Sequence, residues 1–299
     1  MKTLFIRIFA LTVVAVSAIT VPGCKKDNST TTSYEISLAT SSVHGQYLVD
    51  KNGNTLYFFS NDYNGRTSCT GSCELLWPRF SVSDLTQDKL GPGLDIADFD
   101  TILVNGVVQL RYKTWPLYYY APATGYSGNN VREPAGQING DGFSNIWYVA
   151  KPDYSVMLVN TQLIGQDGQD YKGNYTPGTG TTLFFSDDRG RTLYTFSHDS
   201  INANTFTKAD FSNNSVWPIY GPSLKLVPST LDKLLFGTIS VFGHSQITYK
   251  GWPLYYFGGD NSRGSTKGVS FPSPGIWPVA VRELGSAPGI NNNPGGGGY

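Results

Sequence analysis

Charge is scarce in this 299-residue chain: Asp, Glu, Lys and Arg make up 15% of it, and 22 basic residues equal 22 acidic ones. With no basic stripe, nucleic acid is not an expected partner. Histidine occurs three times, at His44, His198 and His244, in separate segments without metal-ligand spacing. Gly-x-Ser-x-Gly, a phosphate loop, His-Glu-x-x-His and the haem-attachment Cys-x-x-Cys-His are all missing. The expectation is a non-enzymatic protein with no metal site and no cofactor. Methionine occurs twice, and alanine and glutamate are sparse in the body of the chain, which disfavours long helices. The apolar run at Leu11–Ile19 is too short for a membrane-spanning helix, which needs about 20 residues.

What the chain has is aromatics, 14% with 19 Tyr, and 34 Gly, a composition suited to turn-rich β structure. One segment recurs. Lys250-Gly-Trp-Pro-Leu-Tyr-Tyr-Phe-Gly-Gly-Asp260 is nearly copied at Lys113–Tyr120, and Thr55–Phe59 and Thr192–Phe196 keep its Leu-Tyr-x-aromatic core. Tyr57, Asp62 and Trp115 return 137 positions later (57 to 194) as Tyr194, Asp199 and Trp252. Tyr34, Ile36, Leu38 and Gly45 return 120 positions later (34 to 154) as Tyr154, Val156, Leu158 and Gly165. The difference of 17 (137 − 120) marks an insertion near residues 166–182, and Trp147 matches Trp277 at an offset of 130. The expected fold is all-β: two tandem copies, residues 34–152 and 153–283, holding four related antiparallel β units. They form either propeller-like blades or pseudo-twofold paired sheets. A Gly-rich tail, 284–299, is expected to be disordered.

Asn52-Gly53, Arg189-Gly190 and Asn105-Gly106 predict hairpin turns. Helix is expected only as short turns after Cys69 and near residues 84–89 or 230–235. Five of six tryptophans precede proline (Trp77, Trp115, Trp217, Trp252 and Trp277), which suits strand entries and sheet edges.

Residues 1–23 read as an export signal, with Lys2 and Arg7 ahead of the apolar run. The run ends in Val21-Pro22-Gly23-Cys24, which resembles a bacterial lipobox; the resemblance implies palmitate-type acylation at Cys24. Two or three such chains, at about 0.8 kcal/mol per buried CH2, hold a protein firmly on a membrane. Residues 24–33 form a polar tether, and loss of Lys2 and Arg7 leaves 22 − 2 = 20 basic residues against 22 acidic ones. The expected location is the outer membrane, facing the periplasm or the surface, with the membrane as partner. In an oxidising compartment Cys69 and Cys73 are expected to form a disulfide; the alternative is a redox pair or a soft-metal site, for which two thiolates alone are an incomplete ligand set.

Tyr57–Asp62, Tyr194–Asp199 and Tyr255–Asp260 share the pattern Tyr-x-aromatic-x-x-Asp, whereas Tyr118-Tyr119-Tyr120 is followed by Ala123 where the aspartate is due. Together with Cys69-Thr-Gly-Ser-Cys73 and Trp77-Pro78, these motifs resemble a family of secreted-repeat bacterial lipoproteins without an established function. The resemblance implies an envelope lipoprotein with a repeated β domain. In the second copy Trp217-Pro218 survives, but Asn213 and Ala209 stand 140 positions after Cys73 and Cys69.

Asp62, Asp199 and Asp260 follow strands, so they either fix turns by accepting backbone N–H groups or converge with Tyr57, Tyr194 and Tyr255 on a pocket. Leu56 and Phe58 point opposite to Tyr57 and Phe59, so these strands are expected to be buried on both faces. Trp115 and Trp252 are core residues or platforms for a glycan. The expected function is non-catalytic binding or scaffolding at the envelope, toward an unknown protein, glycan or small ligand. The alternatives are a redox or electron-transfer accessory using Cys69–Cys73, and carbohydrate binding on an aromatic face. Ala123 and the single Cys pair, where the copies diverge, are the places to look for function.

Overall fold

Turn chemistry places the hairpins. In the computed structural model, which describes residues 33–124 and 129–289, β1 (Ile36–Ser41) pairs antiparallel with β2 (Gly45–Asp50). The signal segment, Cys24, most of the tether and residues 290–299 lie outside the described residues. After β2 the Asp50 carboxylate accepts the N–H groups of Asn52 and Asn54 (2.9 and 2.8 Å), and Gly53 takes φ +81°. That reverses the chain, so Thr55 bridges Val49 and leads into β3 (Tyr57–Phe59). The short helix α1 (Ser72–Leu76) follows. Next, β4 (Phe99–Val104) and β5 (Val107–Tyr112) are joined by Asn105-Gly106, both at positive φ as a type I′ turn requires. The copy ends with β6 (Trp115–Pro116), β7 (Ala123–Thr124), β8 (Asn129–Asn130) and β9 (Trp147–Val149).

In the second copy β10 (Met157–Ile164) carries β11 (Asp170–Tyr171), within the inserted stretch, on one side and β12 (Thr181–Ser186) on the other. β13 (Phe236–Val241), β14 (His244–Tyr249) and β15 (Trp252–Pro253) then repeat β4, β5 and β6. The register bears out the two offsets: Leu38 faces Leu48, and Leu158 faces Phe185, 120 and 137 positions on.

Each unit closes a triangle of backbone hydrogen bonds. In the first, Leu56 N–H donates to Leu48 O, Leu48 N–H to Ala150 O, and Ala150 N–H to Leu56 O, at 2.8–3.1 Å. The same ring recurs with Leu110, Leu117 and Phe80, with Phe185, Leu193 and Ala280, and with Ile247, Leu254 and Tyr220. The third member always comes from the strand after a tryptophan, and it is exchanged. The strand from Trp77 follows the first unit in sequence but completes the second, and the strand from Trp147 completes the first. Tyr57 and Tyr118 exchange reciprocal N–H···O bonds of 2.9 and 3.1 Å, and Tyr194 and Tyr255 do the same at 2.8 and 2.9 Å. Each copy is thus a pseudo-twofold pair of strand-exchanged units. Among the described residues the sheets have two or three strands and no ring of blades forms, so the paired arrangement is the one realised.

This places the Leu-Tyr strands between layers. Leu56 and Phe58 enter one hydrophobic cluster while Tyr57 and Phe59 enter another. Burial of each such side chain is worth about 1.5–3 kcal/mol. The described residues form one compact unit, and the copies meet through partly buried polar contacts. Trp115 Nε1 donates to Asp188 O (2.9 Å), Lys113 pairs with Asp188 (2.8 Å), and Asn160 N–H donates to Ser60 O (3.0 Å).

Candidate functional site

The signature carboxylates sit under the strands of the neighbouring unit. Asp62, fully buried, accepts the Ser68 N–H (2.7 Å), the Ser68 hydroxyl (2.6 Å) and the Tyr118 hydroxyl (2.6 Å). Asp199 accepts the Thr205 N–H, the Thr205 hydroxyl and the Tyr255 hydroxyl at 2.7, 2.9 and 2.7 Å. Asp260 accepts Ser265 Oγ, Lys267 N–H and Tyr194 Oη at 2.8, 2.9 and 2.7 Å. The turn-fixing role expected of them is present, with a tyrosine of the partner unit added. Among the described residues they do not gather into one cluster, and each meets a different tyrosine.

Ala123 does not leave the fourth set empty. Tyr57 donates to Glu133, a buried residue outside every motif, whose other oxygen accepts Asn139 N–H (2.9 Å). The four tyrosines and four carboxylates therefore pair crosswise: Tyr57–Glu133 and Tyr118–Asp62 in one copy, Tyr194–Asp260 and Tyr255–Asp199 in the other. Sequence reading missed Glu133 because an equivalent carboxylate came from a different loop. Gly140 and Gly268 were also missed. A Cβ at either would lie within 2.8–3.0 Å of the Tyr and Trp rings packed on it, so only glycine fits.

Burial raises the Asp62 and Asp260 carboxyls from 3.8 to about 6, against the pull of their hydrogen bonds, and it raises Asp199 and Glu133 as well. A folded-state pKa above the unfolded value means that folding takes up protons between the two. The stability contributed is complete below about pH 4 and is lost as pH rises through 6. Wild type is expected to gain about 2.4 kcal/mol between pH 7.5 and 4 relative to Asp62→Asn. Urea midpoints at the two pH values measure this, and parallel pH profiles would refute it.

The tryptophans form stacks. Trp147 lies between Phe59 and Trp77 at 3.9 and 3.8 Å with nearly parallel planes, and Trp277 lies between Phe196 and Trp217 at 4.4 and 3.7 Å. Trp77, Trp115, Trp147, Trp217 and Trp277 are buried, and Trp252 is half-buried with Nε1 donating to Gly285 O (2.9 Å). An aromatic platform for glycans is therefore not displayed by these rings. Trp115 is covered by the Arg263 guanidinium, 3.9 Å from its ring.

The copies differ most beside these stacks. In copy one the Cys69–Cys73 disulfide is present, with Cys69 fully buried. Its counterpart must be located by the aspartate loop: Ser68 on Asp62 matches Thr205 on Asp199, so Cys69 corresponds to Phe206, 137 positions on, and not to Ala209. Asn213 stands at the Cys73 position and its amide donates to Phe206 O (2.7 Å). A hydrogen bond thus replaces the disulfide, and three extra residues separate its ends. Beside it a pocket of about 470 Å³ opens, lined by Phe196, Phe206, Val216, Trp217, Phe271 and Trp277, with His198 and Ser273 also in its lining. Removing the disulfide as Cys69→Ala/Cys73→Ala is expected to cost about 2 kcal/mol, the low end for so short a loop. A shifted urea midpoint at unchanged slope would show it; an unmoved midpoint would mean that the Trp stack alone holds the loop.

Fold and site define an all-β repeat protein built from strand-exchanged units. Two stretches, residues 39–80 and 240–281, match a family model described as a secreted repeat of unknown function. The two matches fall in the first and fourth units, and each runs from the hairpin through the Leu-Tyr strand to a tryptophan strand. No curated protein and no solved structure matches. Among the described residues no helix is long and apolar enough to cross a membrane, and no cluster of three or more His, Cys, Asp or Glu side chains could hold a metal ion.

Proposed function

We propose that this protein is a lipid-anchored, non-catalytic binding module of the bacterial envelope. The two copies act as a rigid frame and the copy-two pocket as the binding element. One observation carries this reading. At a single pseudo-equivalent place, copy one is pinned by Cys69–Cys73 while copy two holds an apolar pocket beside Trp217 and Trp277. The signature tyrosines and carboxylates are committed to one another, which supports a structural role for them. Native mass spectrometry of the protein isolated from bacterial envelopes is expected to show a non-covalent adduct that Ser273→Trp removes. Equal spectra for the two proteins would sink the reading. Acylation is checked separately: palmitate labelling should vanish in Cys24→Ala.

A further inference from the structure

We infer that the copy-two pocket takes an uncharged, mostly apolar small molecule that presents a hydrogen-bond acceptor; this rests on the pocket being the binding element. Its volume of about 470 Å³ falls within the range of small-molecule sites, about 300–1,000 Å³. No carboxylate, lysine or arginine lines it, and His198 at the exposed rim is its one titratable group. A charged ligand entering there would lose hydration without gaining a counter-charge.

The polar amide in the wall is already committed. Asn213 donates to Phe206 O and accepts Lys208 N–H (3.0 Å). The two indoles differ. Neither the Trp217 nor the Trp277 N–H has a protein acceptor among the described residues, and neither nitrogen is among the buried polar atoms left without a partner. Both donors are therefore uncommitted to protein acceptors among the described residues, on rings that are 1% exposed. The ring faces are occupied: Trp277 lies between Trp217 and Phe196, and Phe257 packs on Trp217 at 4.6 Å. A ligand consequently meets ring edges, which carry the positive end of the aromatic quadrupole. Edges and N–H groups together favour an acceptor oxygen on an apolar body.

The test uses the full chain in lipid nanodiscs, titrated calorimetrically with three probes sharing one ring system, with empty nanodiscs subtracted. 2-Acetylnaphthalene, neutral with an acceptor, is expected to bind about five- to tenfold tighter than naphthalene, the ratio one hydrogen bond supplies. 2-Naphthoate should bind at least about tenfold more weakly than the ketone, consistent with the cost of an unpaired charge. Ser273→Trp and, separately, Val216→Trp should each weaken ketone binding at least about tenfold; both positions line the pocket and are exposed, so the plugs leave the core intact. If naphthoate binds as well as the ketone, or naphthalene matches it, the ligand class is wrong while the pocket reading survives. If no probe binds, or neither plug changes binding, the inference and the pocket reading fall together.

Discussion

Glu133→Ala is expected to lower stability by about 3 kcal/mol, as much as removing the signature aspartate Asp62, although Glu133 belongs to no recurring motif. The substitution strands the Tyr57 hydroxyl in a buried site and removes the acceptor of the partly buried Asn139 N–H; an unpaired buried donor costs about 1–3 kcal/mol. Ala123→Asp, which restores the motif on paper, is expected to change stability by less than about 0.5 kcal/mol, because Ala123 is exposed and the tyrosine is already served. Urea unfolding of the two variants decides the matter. A Glu133→Ala cost below about 1 kcal/mol would break the claim that four crosswise Tyr–carboxylate pairs hold the units together. A double-mutant cycle with Tyr57→Phe isolates the pair itself, since residues in contact couple non-additively.

Arg263→Ala should be comparably costly, about 3–4 kcal/mol, for a different reason. This guanidinium leaves the fourth unit and enters copy one. It donates to Tyr63 O (2.8 Å), to the Thr114 hydroxyl and to Asp62 O (3.3 Å), and it sits over Trp115, 3.9 Å from the ring centroid. It also reaches Arg189 O (3.2 Å) within copy two. Burial lowers its pKa to about 9, with the Asp62 carboxylate opposing that shift, so it remains charged at neutral pH. Its loss leaves several carbonyls without donors and removes a cation–π contact worth about 1–2 kcal/mol. Arg263→Lys should recover less than half, because an ammonium cannot reproduce the planar fork. Wild type is expected to unfold in one transition and Arg263→Ala in two, as the copies lose their coupling. A single transition shifted by less than about 1 kcal/mol would show that the copies are held by their other contacts.

How much of this was legible depends on the range of the interaction. The hairpins at Asn52-Gly53, Asn105-Gly106 and Arg189-Gly190 formed as expected, because positive φ is a local demand that Gly meets without strain and Asn more readily than most residues. Burial of both faces of Thr55–Phe59 was likewise written in its unbroken apolar pattern. The match of Cys69 to Ala209 failed because three residues were gained between Phe206 and Asn213, and only the Asp199–Thr205 contact shows where. Glu133 and Arg263 escaped entirely. Glu133 takes a hydroxyl 76 positions away and Arg263 reaches a carbonyl 200 positions away, and a lone carboxylate or cation in a loop carries no periodic signal.

The sequence by itself determined the all-β class, the duplication and its offsets, the turn positions and the disulfide. These follow from backbone dihedral preferences, side-chain alternation and internal repetition, all of which are local or self-referential. The tertiary structure decided that units exchange tryptophan strands, that each tyrosine meets the partner unit's carboxylate, and that the missing disulfide of copy two adjoins an aromatic pocket. Those are questions of which surfaces meet. They are settled by where a buried hydroxyl or carbonyl finds its partner, and that partner can lie anywhere along the chain.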